Sequence, residues 1–93
     1  MNATGCELNK FRLYVAGTSA RSSLAISNIR AICDQFFKDH YDLEVIDIYQ
    51  QPELAEEENI IAAPTLVRRL PLPRRRVVGD MTDKDRVIFT LDV

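Results

Sequence analysis

The sequence is poor in the residues that build covalent or metal-held frameworks, with two cysteines and one histidine among 93 residues. Cys6 lies in a polar N-terminal stretch and Cys33 lies far from it, inside a predicted helix. That spacing is not a disulfide framework, so we expect a reducing, cytoplasmic environment. His40 has no second histidine or cysteine near it, which argues against zinc. We therefore predict no metal and no cofactor.

Long apolar runs and an excess of positive charge are also missing. No segment is apolar over the roughly 20 residues that a membrane-spanning helix needs. The N-terminus lacks the basic start and apolar core of a secretory signal. The formal net charge is -2, whereas nucleic-acid-binding domains are usually strongly basic. These absences favour a globular protein that binds neither membranes nor nucleic acids.

The length allows one domain and no second core. We predict a flexible N-terminal segment over residues 1–9 and a single folded domain over residues 10–93. A core of this size gives modest stability, which assembly with a partner or with a second copy would increase.

Hydropathy patterns and turn residues predict seven elements in the order strand-helix-strand-helix-strand-strand-helix. The predicted strands are residues 11–16, 43–48, 65–70 and 74–78, and the predicted helices are residues 20–38, 52–59 and 82–91. Strands joined by helices should be parallel, and the last two should form a hairpin at the proline turn of residues 71–73. The nearly continuous apolar character of the second strand predicts a central position. This arrangement is an α/β, thioredoxin-like fold with a mixed sheet.

Two blocks of opposite charge follow each other in the second half of the chain. The acidic block is Glu53, Glu56, Glu57 and Glu58, and the basic block is Arg68, Arg69, Arg74, Arg75 and Arg76. Such a polarised surface can steer association with a complementary partner, although two solvated faces are the simpler interpretation. Together with the small core, the blocks predict self-association as a dimer or tetramer.

The position where a thioredoxin carries its reactive sulfur holds no cysteine. In such enzymes a Cys-x-x-Cys pair stands where the first strand meets the first helix, and here residues 17–21 read Gly-Thr-Ser-Ala-Arg. Cys33 is expected to be a small core side chain. Ser19, Ser22 and Ser23 are expected to cap the helix. The sequence therefore predicts a protein that is not an enzyme.

Pro64 stands immediately before the third predicted strand. Thioredoxin-like folds have a cis proline at this point, beside the ligand face. A cis X-Pro bond is uncommon and is usually a specific feature, so Pro64 is a structural cis-proline candidate. An ordinary trans proline at a strand start is the alternative.

Six segments together resemble the KaiB family of circadian clock proteins. They are residues 13–17 (Leu-Tyr-Val-Ala-Gly), 45–48 (Val-Ile-Asp-Ile), 52–57 (Pro-Glu-Leu-Ala-Glu-Glu), 63–66 (Ala-Pro-Thr-Leu), 70–73 (Leu-Pro-Leu-Pro) and 75–80 (Arg-Arg-Val-Val-Gly-Asp). They occur in the family's order and spacing, from about Lys10 to Asp92. The resemblance implies binding to the ring ATPase KaiC and capture of KaiA where a KaiA-type protein exists. It also implies that the chain from about Gln50 onward can adopt a second, ground-state fold.

The resemblance also implies where a KaiC-type partner would be bound. Cyanobacterial members carry basic contact residues at the positions of Leu24, Asn59 and Arg76, and only Arg76 is basic here. Arg75 and Arg76 should point to opposite faces of the fourth strand because side chains alternate along a strand. The candidate partner-binding residues are therefore Leu24, Asn59, Arg75 and Arg76, with Arg76 as the expected contact.

Two other functions remain open at this stage. The first is a thioredoxin-fold enzyme that binds glutathione or a similar thiol, with Asp80 as a polar ligand clamp and Thr18 or Ser19 as a weak activating group. The second is a purely self-associating structural protein. Within the leading hypothesis, the KaiC-type partner would serve either circadian timing or stress adaptation.

Overall fold

The computed structural model describes residues 8–38 and 40–91, and within them the seven elements follow in the predicted order. The elements are β1 (Asn9–Val15), α1 (Ala20–Phe36), β2 (Tyr41–Asp47), α2 (Pro52–Glu57), β3 (Thr65–Leu70), β4 (Arg75–Val78) and α3 (Lys84–Leu91). None of these helices is long and apolar enough to cross a membrane.

The first strand begins earlier than predicted. The main-chain nitrogen of Asn9 donates to the carbonyl oxygen of His40 at 2.9 Å, and its side-chain amide donates to the same oxygen at 3.2 Å. Asn9 is therefore the first residue of β1. Residues 1–7, which hold Cys6 and most of the predicted segment, lie outside the described residues. His40 itself is exposed in a bend.

The sheet has four strands in the order β2-β1-β3-β4. The predicted parallel pair of β1 and β2 and the predicted hairpin of β3 and β4 are confirmed. The prediction that β2 is central was wrong, because β2 forms one edge of the sheet and β1 and β3 are central. Its burial alternates along the strand, since Asp42 and Glu44 are exposed between partly buried neighbours.

The expectation that every helix-linked strand is parallel was also wrong for β3. This strand runs antiparallel to β1, with Thr65 opposite Tyr14. The connecting helix α2 has six residues, which gives it a length of about 9 Å. A seven-residue strand is about 23 Å long. Because β3 starts beside the end of β1, the short helix does not need to cross the length of the sheet.

Side chains from the two faces of the sheet form two separate clusters. Helices α1 and α3 cover one face, where the core includes Phe11, Leu13, Ile29, Leu66 and Leu91. Helix α2 covers part of the other face, where Tyr14, Ile46, Ala55 and Val67 pack together. Among the described residues, no helix covers the end of that second face where β1 begins and β3 ends.

Two helix boundaries differ from the predicted ones for local reasons. Helix α1 ends at Phe36 and not at Lys38, because Lys38 has a left-handed φ of 50° and its nitrogen donates to the carbonyl oxygen of Cys33. Helix α3 begins at Lys84 and not at residue 82. Asp83 caps it, since a carboxylate oxygen of Asp83 accepts a hydrogen bond from the nitrogen of Arg86 at 3.2 Å.

Candidate partner-binding surface

Helix α2 ends in a turn that depends on Asn59. The predicted helix runs to Asn59, but this residue has a left-handed φ of 57°, so the helix stops at Glu57. The nitrogen of Asn59 donates to the carbonyl oxygen of Glu56, and the nitrogen of Ile60 donates to that of Ala55 at 2.8 Å. This pair of bonds is a Schellman motif, in which asparagine is one of the few residues that tolerate the left-handed position.

The side chain of Arg76 completes the same turn from strand β4. Its Nη2 donates to the carbonyl oxygen of Glu58 at 2.6 Å, and its Nη1 donates to that of Asn59 at 3.0 Å. Carbonyl groups at a helix C-terminus lack partners within the helix and carry partial negative charge, so a guanidinium is favourable there. The structure therefore brings Asn59 and Arg76 together, although they are 17 residues apart.

A nearly buried carboxylate lies beside this turn. Glu58 is 8 % exposed, and its side chain accepts a hydrogen bond from Nη1 of Arg74 at 3.0 Å. Nε of Arg69 lies 3.8 Å from the other carboxylate oxygen. Glu58 therefore belongs to an ion-pair network that ties α2 to the β3–β4 hairpin. The remaining acidic side chains of α2, those of Glu53, Glu56 and Glu57, are exposed as predicted.

The other two candidates lie elsewhere. Arg75 is opposite Arg68 and Arg76 is opposite Val67 in the hairpin, so neighbouring arginines point to opposite faces of the sheet. Leu24 is 44 % exposed on α1, the helix that packs on the face away from α2. The structure therefore joins two of the four predicted residues, Asn59 and Arg76, into one surface.

One member of the basic block is buried, which the sequence did not predict. Arg68 is 6 % exposed, and its guanidinium donates to the carbonyl oxygens of Leu91 and Pro73. It closes the last turn of α3 and holds the proline turn of the hairpin. Strand alternation could have predicted this burial, because Arg68 lies two residues after the fully buried Leu66 and so points to the same face of the sheet.

Hydroxyl groups occupy the start of α1, where a thioredoxin has sulfur. Ser19 caps the helix by accepting a bond from the nitrogen of Ser22 at 3.2 Å, and its hydroxyl donates to that of Ser22 at 2.9 Å. The Ser22 oxygen also accepts from the nitrogen of Ala16 at 3.0 Å. Ser23 is exposed and adds no side-chain cap. The hydroxyls of Ser19 and Ser22 thus hold the end of β1 to the start of α1.

Cys33 lies in the core, as predicted. Its side chain is fully buried in the cluster of α1, α3 and the sheet. Burial raises the pKa of the thiol to about 12, and the nearby carboxylate of Asp34 adds to the increase. Such a thiol is protonated at neutral pH and is a poor nucleophile.

A shallow cavity of about 390 Å³ lies where β4 leads into α3, and its lining includes Arg21, Gly79, Asp80 and Arg86. Hydrogen bonds from Thr82 lower the pKa of Asp80 below its ordinary value, and the charge of Arg21 adds to this effect. The nitrogen of Gly79 donates to the carbonyl oxygen of Pro64 at 2.9 Å, and the Ala63–Pro64 peptide bond is cis. Within the described ranges, no group of three or more histidine, cysteine, aspartate and glutamate side chains could hold a metal ion.

Comparisons with solved structures identify the fold. The N-terminal domain of SasA from Synechococcus elongatus is 24 % identical and superposes with a TM-score of 0.75, over 92 % of this chain and 85 % of that one. The thioredoxin Deadhead from Drosophila melanogaster is 15 % identical, with a TM-score of 0.74 over 92 % of this chain and 80 % of that one. The predicted thioredoxin-like fold is therefore confirmed.

Comparisons of sequence give the family. The chain is 46 % identical over 82 residues to the circadian clock protein KaiB3 of Synechocystis sp.. The aligned region covers 88 % of this chain and 80 % of the relative. The chain is equally similar, over 88 % of this chain and 78 % of the relative, to the circadian clock oscillator protein KaiB of Prochlorococcus marinus. The model of the KaiB domain matches residues 12–93. The chain therefore belongs to the KaiB family.

Proposed function

We propose that the protein is a non-enzymatic cytoplasmic regulator that binds a KaiC-type ring ATPase and modulates its phosphorylation and ATPase cycle. Membership of the KaiB family supports this proposal. The partner would serve circadian timing or a stress response, and a KaiA-type protein would join the complex in a host that has one.

The turn at the end of α2 is the observation that carries the proposal. Arg76 uses one N–H of each terminal nitrogen for the carbonyl oxygens of Glu58 and Asn59. A guanidinium has five N–H donors, so three remain for a partner. Because Arg76 is exposed and held in place by the turn, a partner carboxylate would meet an oriented cation. Arg76 and Asn59 would then contact the partner. Arg75 and Leu24 would lie at the edge of the interface or outside it.

Calorimetric titration of the cognate KaiC homologue tests the proposal. Arg76→Glu places a negative charge against an acidic partner and should weaken binding on the order of thirty-fold or more, since losing a desolvated charge pair costs about 2–5 kcal/mol. Arg21→Glu is the control, because Arg21 is exposed at the start of α1, and it should have a much smaller effect. Raising the salt concentration should reduce the difference between the variants.

A second variant separates contact from folding, because Arg76→Glu also removes the bonds that close α2. Asn59→Asp adds a negative charge beside Arg76, tolerates the left-handed backbone and keeps the carbonyl oxygen that Arg76 binds. It should weaken binding while the circular dichroism spectrum is unchanged. If both variants fold and bind as tightly as the unmodified protein, the proposed contact is wrong.

The cavity beside Asp80 favours a second candidate, the binding of glutathione or a similar thiol. It brings two cations, Arg21 and Arg86, close to a carboxylate that stays ionised. At the start of α1 a ligand thiol would meet hydroxyl groups and no cysteine. The hydroxyl group of Ser19 already donates a hydrogen bond to that of Ser22. Thiol-transfer activity above background, lost in Asp80→Asn, would favour this candidate over the regulator.

A further inference from the structure

A β-bulge changes the direction of the last side chains of β3. In the pairing of β1 with β3, Lys10 lies opposite Leu70. The next residue of β1, Phe11, lies opposite Arg68, so Arg69 is an extra residue on β3. Regular alternation would turn Leu70 to the same face as Arg68, towards α3. The bulge instead brings Leu70, which is 41 % exposed, to the side of Lys10.

Leu70 lines a pocket at the end of the hairpin, together with a second leucine and three cations. This shallow cavity has a volume of about 370 Å³, and we call its lining residues the hairpin pocket: Lys10, Arg69, Leu70, Leu72 and Arg74. Leu72 is 70 % exposed in the proline turn. The hairpin pocket therefore combines two exposed apolar side chains with positive charge from three parts of the chain.

The turn that carries Leu72 is restrained from both sides. Pro71 and Pro73 flank Leu72, and each proline ring fixes its own backbone φ. The buried guanidinium of Arg68 donates to the carbonyl oxygen of Pro73 at 2.8 Å. Because the turn is held in place before any ligand arrives, binding at Leu72 would cost little conformational entropy.

The cations of the hairpin pocket outnumber the carboxylates around them. In the described part of the chain, Glu58 is the one carboxylate within ion-pair distance of Arg69 and Arg74, and none lies that close to Lys10. Three cations thus share one carboxylate. The surplus of positive charge is available to a ligand that carries negative charge.

The spacing of the cations indicates what kind of anion would fit. Lys10 lies on β1, Arg69 on β3 and Arg74 immediately before β4, and these strands are neighbours in the order β1-β3-β4. Since neighbouring strands lie about 4.8 Å apart, the three Cα positions extend over roughly 10 Å. A single phosphate group is too small to contact all three side chains. Carboxylates on alternate residues of an extended peptide are about 7 Å apart, which suits this spread.

We propose that the hairpin pocket binds an acidic peptide segment of a partner protein. Carboxylates of the segment would pair with Lys10, Arg69 and Arg74, and one large apolar side chain would lie against Leu70 and Leu72. The hairpin pocket includes neither residue of the turn at the end of α2 that the proposed function uses. The two surfaces can therefore be tested separately.

Fluorescence anisotropy with a labelled peptide tests the proposal without any other protein. The probe is a short fluorescein-labelled peptide that carries one leucine between two runs of glutamate. A second peptide has alanine in place of the leucine. The leucine peptide should bind saturably at low salt and more weakly at high salt, since charge attraction is screened. The alanine peptide should bind roughly fivefold more weakly, because the apolar contact is lost.

Two exposed positions of the hairpin pocket provide the variants. Lys10→Glu reverses a charge and should weaken peptide binding at least about tenfold. Leu72→Ser removes an apolar contact and should weaken it about tenfold. The matched controls are Arg30→Glu, the same charge reversal on α1, and Ile61→Ser, at an apolar side chain that is 98 % exposed beyond the other end of β3. Both controls should bind the peptide as tightly as the unmodified protein, and circular dichroism checks that every variant is folded.

Two further probes separate an acidic peptide from other anionic ligands. Inorganic phosphate should displace the peptide no better than sodium chloride of the same ionic strength. Vesicles of equal parts phosphatidylcholine and phosphatidylglycerol should not cosediment with the protein. The proposal is wrong if the leucine peptide does not bind saturably, if the two peptides bind equally, or if either pocket variant folds and binds like the controls. Specific displacement by phosphate, or vesicle binding that both pocket variants lose, would overturn it in favour of a phosphate site or a membrane surface.

Discussion

Arg76 reaches from strand β4 to the main chain of Glu58, whose carbonyl oxygen lies 2.6 Å from its Nη2. The same side chain binds the carbonyl oxygen of Asn59. A residue at the edge of the sheet thus supplies the C-terminal cap of a helix that is only six residues long. Short helices are marginal on their own, so this cap should matter for stability as well as for binding.

Arg76→Met should lower the free energy of unfolding by about 1–2 kcal/mol, because two hydrogen bonds from a charged donor are lost at the helix end. Urea denaturation followed by circular dichroism measures the change. Arg75→Met is the control on the neighbouring position of the same strand, and it should change stability by less than about 0.5 kcal/mol. Equal effects of the two variants would mean that the cap contributes nothing.

Glu58→Gln should destabilise the protein by about 1–3 kcal/mol, because Arg69 and Arg74 lose their common carboxylate while they remain close together. The lower part of this range applies if water solvates the partly exposed guanidinium groups in place of the lost carboxylate. Glu57→Gln, at an exposed position, should be nearly neutral. The comparison is made by urea denaturation at low and high salt, and a Glu58→Gln protein as stable as the Glu57→Gln protein would contradict the network.

Cys33 should be inert towards thiol reagents in the folded protein. With a pKa of about 12, roughly one thiol in 10⁴ is ionised at pH 8, compared with about one in ten for an unfolded chain whose thiol has the ordinary pKa of 9.0. A Cys6→Ser variant, which leaves Cys33 as the one cysteine, should react with an aromatic disulfide reagent only after denaturant is added. Rapid reaction of the native protein would show that the thiol is accessible.

The raised thiol pKa also predicts how stability depends on pH. The folded state holds this proton more tightly than the unfolded chain, whose thiol has an ordinary pKa of 9.0. The contribution of Cys33 is therefore fully present below pH 9 and is lost as the pH rises towards about 12. A Cys33→Ala variant should lack this part of the pH dependence between pH 9 and the upper limit of the measurement.

Cysteines at positions 19 and 22 should form a disulfide, because the two serine oxygens lie only 2.9 Å apart. The longer C–S bonds can bring two sulfur atoms there to the disulfide distance of about 2.05 Å. The test protein carries Ser19→Cys and Ser22→Cys together with Cys6→Ser and Cys33→Ala. Mild oxidation should remove both free thiols, and the pair with Ser23→Cys in place of Ser22→Cys should oxidise more slowly. Equal oxidation rates would contradict this geometry.

The order of the elements could be predicted from the sequence because it depends on local patterns. Alternation identified the first strand, three- and four-residue spacing identified α1, and proline residues marked the start of α2 and the hairpin turn. The position of β2 could not be predicted in this way. The apolar run of residues 43–48 indicates partial burial of both faces of the strand. It does not indicate whether the strand has one neighbour, as at an edge, or two.

The partner-binding surface could be predicted only in part. The alternation of Arg75 and Arg76 follows from strand geometry, and it is confirmed by their opposite partners in β3. The burial of Glu58 and Arg68 depends on contacts with residues far along the chain, such as Arg74 and Leu91. A charged side chain is expected to be solvated when only the sequence is known. The main-chain and charged groups that pair with it come close only when the chain has folded.

The bonds from Arg74 and Arg76 to Glu58 have a consequence for local unfolding. They add to the packing of α2 on Tyr14 and Ile46 and connect the helix directly to the hairpin, so α2 and β4 should open as one cooperative unit. Amide protons of Leu54 and Ala55 should then exchange with solvent at rates set by the opening of β4. Breaking the ion pairs would separate the two, leaving a helix that frays while the sheet stays closed.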